Sequence, residues 1–146
     1  MAWISVTRLR VRSFVYLPPF LWDTFKALRQ VERSPGFLGG RLLVNAKSVF
    51  WTMTVWKDQV SMNVYRTGGA HRQAMPKLLH WCNEAAYVHW TQESSEIPTW
   101  HEAQQHMAEE GKLSKVSHPS PAQVSHHIPG PEPGRIQQEL KPLSTV

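Results

Sequence analysis

The chain has few cysteines and no long apolar runs. Cys82 is the only cysteine in 146 residues, which excludes an intramolecular disulfide and a cysteine-based zinc cluster. No apolar run approaches the ~20 residues that a membrane-spanning helix needs. Arg8 also comes too early for the apolar core of a signal peptide to precede it. We therefore expect a cytoplasmic protein with no membrane partner.

Aromatic residues are missing from the last part of the chain. The last of them is Trp100, and residues 113–146 also contain six of the eleven prolines. A segment of this composition cannot bury enough apolar area to offset the entropy lost on ordering. The sequence therefore predicts a folded domain over residues 1–112 and a disordered tail, rich in proline and histidine, over residues 113–146.

Acidic residues are fewer than basic ones, 11 against 16, which gives a net charge of +5. A basic chain can bind nucleic acid or an anionic membrane. Here the excess is concentrated at Arg8, Arg10 and Arg12, the other cations are dispersed, and no nucleic-acid-binding motif is present. We expect no nucleic-acid partner.

Hydrophobic periodicity predicts a β-α-β-β-α-β order followed by a helix. The predicted elements are a strand at 3–15, a helix from Pro18 to about Ser34, strands at 37–44 and 49–56, a helix from Asp58 that Gly68 and Gly69 interrupt, a strand at 85–92 and a helix at 100–110. In the first helix the spacing of Leu21, Phe25, Leu28 and Val31 predicts the buried face.

This order is the ferredoxin-like split β-α-β arrangement, an α+β fold with a four-stranded antiparallel sheet. Helices cover one face of such a sheet, and either a C-terminal segment or a second subunit must cover the other. The strand at 49–56 is apolar or β-branched throughout, which favours the subunit. We therefore expect a homodimer formed by the bare faces of the two sheets.

Three segments resemble those of a known superfamily. They are Pro-Gly-Phe-Leu-Gly-Gly-Arg-Leu-Leu (35–43), Phe-Trp-Thr-Met-Thr-Val-Trp-Lys-Asp (50–58) and Thr-Gly-Gly-Ala-His-Arg-Gln-Ala-Met (67–75). Their sequence and order resemble the antibiotic-biosynthesis-monooxygenase superfamily of dimeric α/β barrels, most closely its uncharacterised bacterial branch. The superfamily includes cofactor-independent monooxygenases that oxidise polycyclic phenols, haem-degrading enzymes and members with no known activity.

The resemblance argues against haem as a cofactor. Haem-degrading members use an Asn on the first strand, and a Trp and a His on the second helix. By position these correspond here to Thr7, Tyr65 and His71, so only the histidine is retained. We expect no cofactor and no bound metal.

Three polar residues are candidate catalytic groups. His71 would act as a general base, and Tyr65 and Thr7 as polar contacts to the substrate. The alternatives are that His71 caps the helix after the Gly-Gly turn and that Tyr65 is a core residue. Tyr65 lies six positions before His71, so the two share a site only if the helix break changes the direction of the chain.

Four further residues are candidates for ligand binding in an apolar pocket between sheet and helices: Trp22, Phe25, Trp56 and Met75. The alternative is that they form an ordinary core. The arginines at positions 8, 10 and 12 face the opposite side of the sheet, where desolvation is costly. They must lie at a wet rim, pair with acids such as Glu93 or Glu96, or bind an anion, and we expect pairing.

The resemblance, taken with these candidate residues, implies one of two functions. The first is a cofactor-independent, monooxygenase-like enzyme acting on a small apolar or aromatic molecule, with His71 as its base. The second is a non-catalytic, dimeric ligand-binding or structural protein of the same fold. A cavity beside His71 large enough for a ring system would favour the first.

Overall fold

The computed structural model describes residues 1–45, 47–131 and 136–143. The strands in this part of the chain are β1 (Ala2–Val11), β2 (Phe37–Val44), β3 (Val49–Trp56), β4 (Cys82–Gln92), β5 (Lys112–Leu113) and β6 (Ile136–Leu140). The helices are α1 (Leu17–Glu32), α2 (Gln59–Arg66), α3 (Gly69–Trp81), α4 (Trp100–Glu110) and α5 (Pro121–Val124). None of these helices is long and apolar enough to cross a lipid bilayer.

All strands of the described chain belong to one sheet in the order β5-β4-β1-β3-β2-β6, and every pair is antiparallel. The α+β class and the antiparallel sheet are confirmed. The predicted number of four strands is corrected to six, because β5 extends one edge of the sheet and β6 the other.

Local sequence signals explain where the elements begin and end. Asp58 accepts a hydrogen bond from the Ser61 backbone N–H at 2.8 Å, which caps the start of α2. Gly69 has a φ of +54°, a left-handed conformation that favours glycine, at the break between α2 and α3. The α3 helix then continues through Pro76 without interruption.

The two faces of the sheet are covered by different parts of the chain. Helices α1, α2 and α3 cover the face that carries Thr7, which we call the front face. The opposite, back face carries Ile4, Val6 and Met53, and these pack against Ala103 and Met107 of α4. The homodimer expected from an uncovered back face therefore loses its support, because a C-terminal helix of the same chain covers that face.

The predicted disorder of residues 113–146 is wrong for the described residues of that segment. Strand β6 pairs with β2, and Leu140 is buried with Val31, Phe37, Trp56 and Met62. The prediction from composition failed because an edge strand needs few apolar residues of its own. Here β2 supplies the backbone hydrogen-bond partners, and the rest of the chain supplies the core. Residues 132–135 and 144–146 of the predicted tail lie outside the described residues.

The arginines of β1 do pair with an acid, but the acid is Glu84 on the neighbouring strand. Arg8 contacts Glu84 at 2.6 Å and Arg10 contacts it at 3.2 Å. Arg10 and Glu84 are direct register partners, which explains why Glu84 is the partner and not Glu93 or Glu96.

Candidate functional site

A cavity of about 230 Å³ lies between the front face of the sheet and helices α2 and α3. Its helix side carries the apolar side chains of Met62, Met75, Leu78 and Leu79, together with the polar groups of Arg66 and His71. An apolar protein cavity of about 150 Å³ can hold benzene. The cavity therefore has room for a small aromatic molecule.

The sheet side of the cavity carries hydroxyl groups on its two central strands. Ser5 and Thr7 of β1 pair in register with Thr54 and Thr52 of β3, and all four line the cavity. Because side chains alternate between faces, residues two apart on each strand point to the same side. The Thr7 and Thr52 hydroxyls make no hydrogen bond to protein groups of the described chain, so they are available to a ligand.

His71 lines the cavity from the first turn of α3, and two hydrogen bonds fix its position. Its backbone N–H donates to Gln30 Oε1 at 2.8 Å, and its ring Nδ1 lies 3.0 Å from the Arg66 carbonyl oxygen. A carbonyl can only accept, so Nδ1 carries the proton and Nε2 is left as the acceptor. Burial lowers the pKa of His71 and favours the neutral ring.

Tyr65 also lines the cavity, and its ring centroid lies 4.8 Å from that of His71. The helix break therefore does bring the two predicted residues together. The Tyr65 hydroxyl donates to the Ala27 carbonyl at 3.3 Å, and its ring lies 5.4 Å from that of Trp56. Burial raises the pKa of Tyr65 well above its usual value. Tyr65 is thus a neutral packing group whose hydroxyl is already engaged.

Of the four predicted ligand-binding residues, only Met75 lines the cavity. Trp56 is fully buried on the front face beside the cavity, where its Nε1–H donates to Thr54 Oγ1 at 2.9 Å. Trp22 and Phe25 lie on the outer surface of α1, 61% and 50% exposed. Their predicted role in this cavity is wrong.

The error for Trp22 and Phe25 comes from the rotation of α1 about its axis. Phe20 packs on Phe50, with ring centroids 4.6 Å apart, and is buried together with Val31. This contact turns Leu21 and Phe25 toward solvent, although their spacing alone fits a buried face.

His89 is a cavity residue that the sequence analysis missed. It lies on β4 in register with Ser5, half-buried, and its ring centroid is 5.5 Å from that of Tyr87. Burial lowers the pKa of His89, and the charges of Arg66 and Lys112 lower it further. The alternation of side chains along β4 could have identified His89 as a cavity residue, because Tyr87 and His89 face the same side of the sheet as Thr7 and Ser5.

No group of three or more His, Cys, Asp or Glu side chains in the described part of the chain could hold a metal ion. The cavity is also smaller than the about 300–1,000 Å³ that is typical of drug-sized ligand and cofactor pockets.

Comparison with known proteins identifies a family and a fold. A family model described as a domain of unknown function, DUF3291, matches residues 21–115. No curated protein sequence matches the chain significantly.

Solved structures of low sequence identity share the fold. SnoaB, a cofactor-independent oxygenase from Streptomyces nogalater, matches with a TM-score of 0.53 and 16% identity over 64% of this chain and 94% of its own. An antibiotic biosynthesis monooxygenase matches with a TM-score of 0.54 and 13% identity over 62% of this chain and 99% of its own. Rv0793 from Mycobacterium tuberculosis matches with a TM-score of 0.58 and 7% identity over 64% of this chain and 97% of its own. The resemblance to antibiotic-biosynthesis-monooxygenase proteins is confirmed, and at these identities it shows a shared fold.

Proposed function

The chain belongs to the DUF3291 family of unknown function, and we propose that it is a cofactor-independent, monooxygenase-like enzyme for a small apolar or aromatic molecule. The substrate would occupy the cavity between the front face of the sheet and helices α2 and α3. SnoaB, which has the same fold, is described as a cofactor-independent oxygenase, and this supports the proposal.

The observation that carries the proposal is a neutral histidine held against an apolar cavity. The bond from Nδ1 to the Arg66 carbonyl fixes the tautomer of His71 and leaves Nε2 as a base. A half-buried, neutral imidazole of this kind can remove the proton of a phenol. The hydroxyls of Thr7 and Thr52 would orient the substrate oxygen, and Met75 would help to exclude water.

The reaction needs only the substrate and molecular oxygen. The phenolate transfers its electrons to O₂, one oxygen atom enters the ring, and the other leaves as water. For 1-naphthol, one molecule plus one O₂ would give one naphthoquinone and one water. The electrons come from the substrate, so no external reductant is required.

Oxygen consumption with 1-naphthol tests this function. The wild-type chain in metal-chelated buffer should consume one O₂ per quinone formed. His71→Asn should lower the rate by about 10²–10⁴-fold, because the asparagine amide can still donate to the Arg66 carbonyl but cannot act as the base. An unchanged melting temperature in this variant would assign the loss to chemistry and not to unfolding.

The second candidate is a non-catalytic protein that binds the same class of ligand. The observation in its favour is that His71 Nδ1 and the Tyr65 hydroxyl both donate hydrogen bonds to backbone carbonyls, as side chains that hold helices together do. Saturable 1-naphthol binding with no oxygen consumption would favour this candidate. Full oxygen consumption by His71→Asn would remove His71 from the mechanism.

A further inference from the structure

The outer surface of α1 and of the turn before it carries apolar side chains that no part of the described chain covers. We call this surface the aromatic patch; its members are Phe14, Val15, Leu21, Trp22 and Phe25. All five are exposed, Phe14 to 83%. A contiguous exposed apolar surface on a helix marks an interaction site more often than a random surface does.

Cations accompany the aromatic rings of this patch. Lys26 Nζ lies 5.9 Å from the centroid of the Trp22 ring, and Arg29 Cζ lies 5.7 Å from that of Phe25. Asp23 is the only acidic residue in the first 31 positions, and it is buried. Its carboxylate is paired with Lys26 and with Lys77, each at 3.4 Å. Glu32, the other acidic residue of α1, is partly exposed at the end of the helix, beyond Arg29. Over residues 14–29 the patch presents apolar and positively charged groups without an exposed carboxylate.

We propose that the aromatic patch binds the surface of an anionic lipid membrane. Trp22 and Phe25 enter the boundary between headgroups and acyl chains, where aromatic side chains are favoured. Lys26 and Arg29 contact the acidic headgroups. The helix lies in the plane of the membrane, as amphipathic helices with an aromatic and a basic side do.

Two other occupants fit these observations less well. A second copy packed patch to patch would bring Lys26 and Arg29 close to the same cations of its partner, and like charges across an interface are unfavourable. Single-stranded nucleic acid is bound in basic grooves that follow the strand. Here the aliphatic Leu21 lies on the convex outside of α1, and Val15 lies in the turn before it.

Vesicle flotation at low ionic strength tests the proposal. The wild-type chain should float with vesicles of phosphatidylcholine and phosphatidylserine in a 70:30 ratio and not with phosphatidylcholine alone. Lys26→Gln/Arg29→Gln should weaken binding by about 25-fold, since each cation near an anionic surface contributes roughly fivefold. Lys115→Gln/Lys141→Gln, which removes two exposed cations elsewhere, should leave binding nearly unchanged.

The apolar contribution has its own matched pair of variants. Trp22→Gln/Phe25→Gln should weaken binding by about tenfold or more and keep the wild-type melting temperature, because both side chains are exposed. Val60→Gln/Val64→Gln changes two equally exposed apolar residues on α2 and should bind like the wild type.

Three results would overturn the proposal. One is equal flotation with both vesicle types or with neither. Another is binding of a 20-nucleotide oligothymidylate that Trp22→Gln/Phe25→Gln abolishes, which would assign the patch to nucleic acid. The third is a wild-type dimer that the same variant converts to a monomer, which would assign the patch to a second copy.

Discussion

At the scale of single residues, His71 connects the proposed chemistry with the local structure. Its ring bonds to the last residue of α2, and its backbone bonds to Gln30 of α1. His71 therefore links α3 to α2 through its ring and to α1 through its backbone, and the ring is also the proposed base. Its two roles can be separated because they depend on different ring nitrogens.

The linking role predicts different stabilities for two His71 variants. His71→Ala removes the bond to the Arg66 carbonyl and should lower the free energy of unfolding by about 0.5–1.5 kcal/mol. His71→Asn keeps a donor near the Nδ1 position and should lose less than half of that. Urea unfolding at pH 7.5 measures both values. Equal losses would show that the bond to Arg66 contributes nothing.

The lowered pKa of His71 also predicts a pH dependence. Burial makes protonation of the ring less favourable in the folded chain than in the unfolded chain. The contribution of the neutral His71 ring to the free energy of unfolding is therefore fully present above the pKa of about 6.5 that the ring has in the unfolded chain, and it is lost as the pH falls below that value. His89 acts in the same direction, so the useful quantity is the difference between wild type and His71→Asn. Between pH 7.5 and pH 5 the wild type should lose more stability than this variant, and parallel curves would contradict the account.

Glu84 makes a second prediction at this scale. Burial raises the pKa of Glu84, but hydrogen bonds from Arg8 and Ser120 and the charge of Arg8 outweigh it and hold the pKa below its usual value. Glu84→Gln should cost about 3–5 kcal/mol, because it leaves the buried Arg8 uncompensated. Arg10→Gln removes the partly exposed partner of the same carboxylate and should cost about 0–1 kcal/mol. Equal losses in thermal melting would contradict the burial argument.

At the scale of elements, the hydrophobic periodicity of the sequence predicted the bounds of those strands and helices that depend on local sequence. The strands at 37–44 and 49–56 and the helix at 100–110 have the predicted bounds. The buried face of α1 was predicted wrongly. The contact between Phe20 of α1 and Phe50 of β3 sets which face of the helix is buried, and periodicity within the helix does not show this contact. Strand β6 was missed because its four leading residues are exposed and only Leu140 is buried.

Leu140 provides the prediction for β6. Leu140 belongs to the buried cluster of Trp56 and Met62, and Tyr65 packs against this cluster. It therefore supports the side of the cavity that Met62 and Tyr65 line. Leu140→Ala should lower the free energy of unfolding by about 2–5 kcal/mol. Leu143→Ala removes an exposed leucine three residues later and should change it by about 0.5 kcal/mol or less. If both variants melt with the wild type, β6 does not stay bound to β2 in solution.

At the scale of the whole molecule, α4 changes the expected assembly. The back face of the sheet was predicted to be covered by a second subunit, but Ala103 and Met107 of α4 cover it within the chain. The sequence does not distinguish these two ways of covering the face, because an apolar strand has the same composition under a helix as under another sheet.

The covered back face predicts a monomer in dilute solution. Sedimentation of the wild-type chain at micromolar concentration should give a mass close to 16.8 kDa. Met107→Asp, which places a charge in the contact between α4 and the sheet, should expose that face and promote self-association. A wild-type dimer would show that the back face is not the only surface available for assembly.

The central claim is that the cavity below α2 and α3 binds a small aromatic molecule beside His71. Chemical-shift mapping by NMR during titration with 1-naphthol tests it most directly, because it locates the ligand without requiring turnover. We predict saturable shifts at the Thr7 and Met75 methyl groups and at the His71 imidazole, with Trp22 and Phe25 unaffected. Shifts confined to the outer surface of α1, or no saturable shift at any cavity residue, would contradict it.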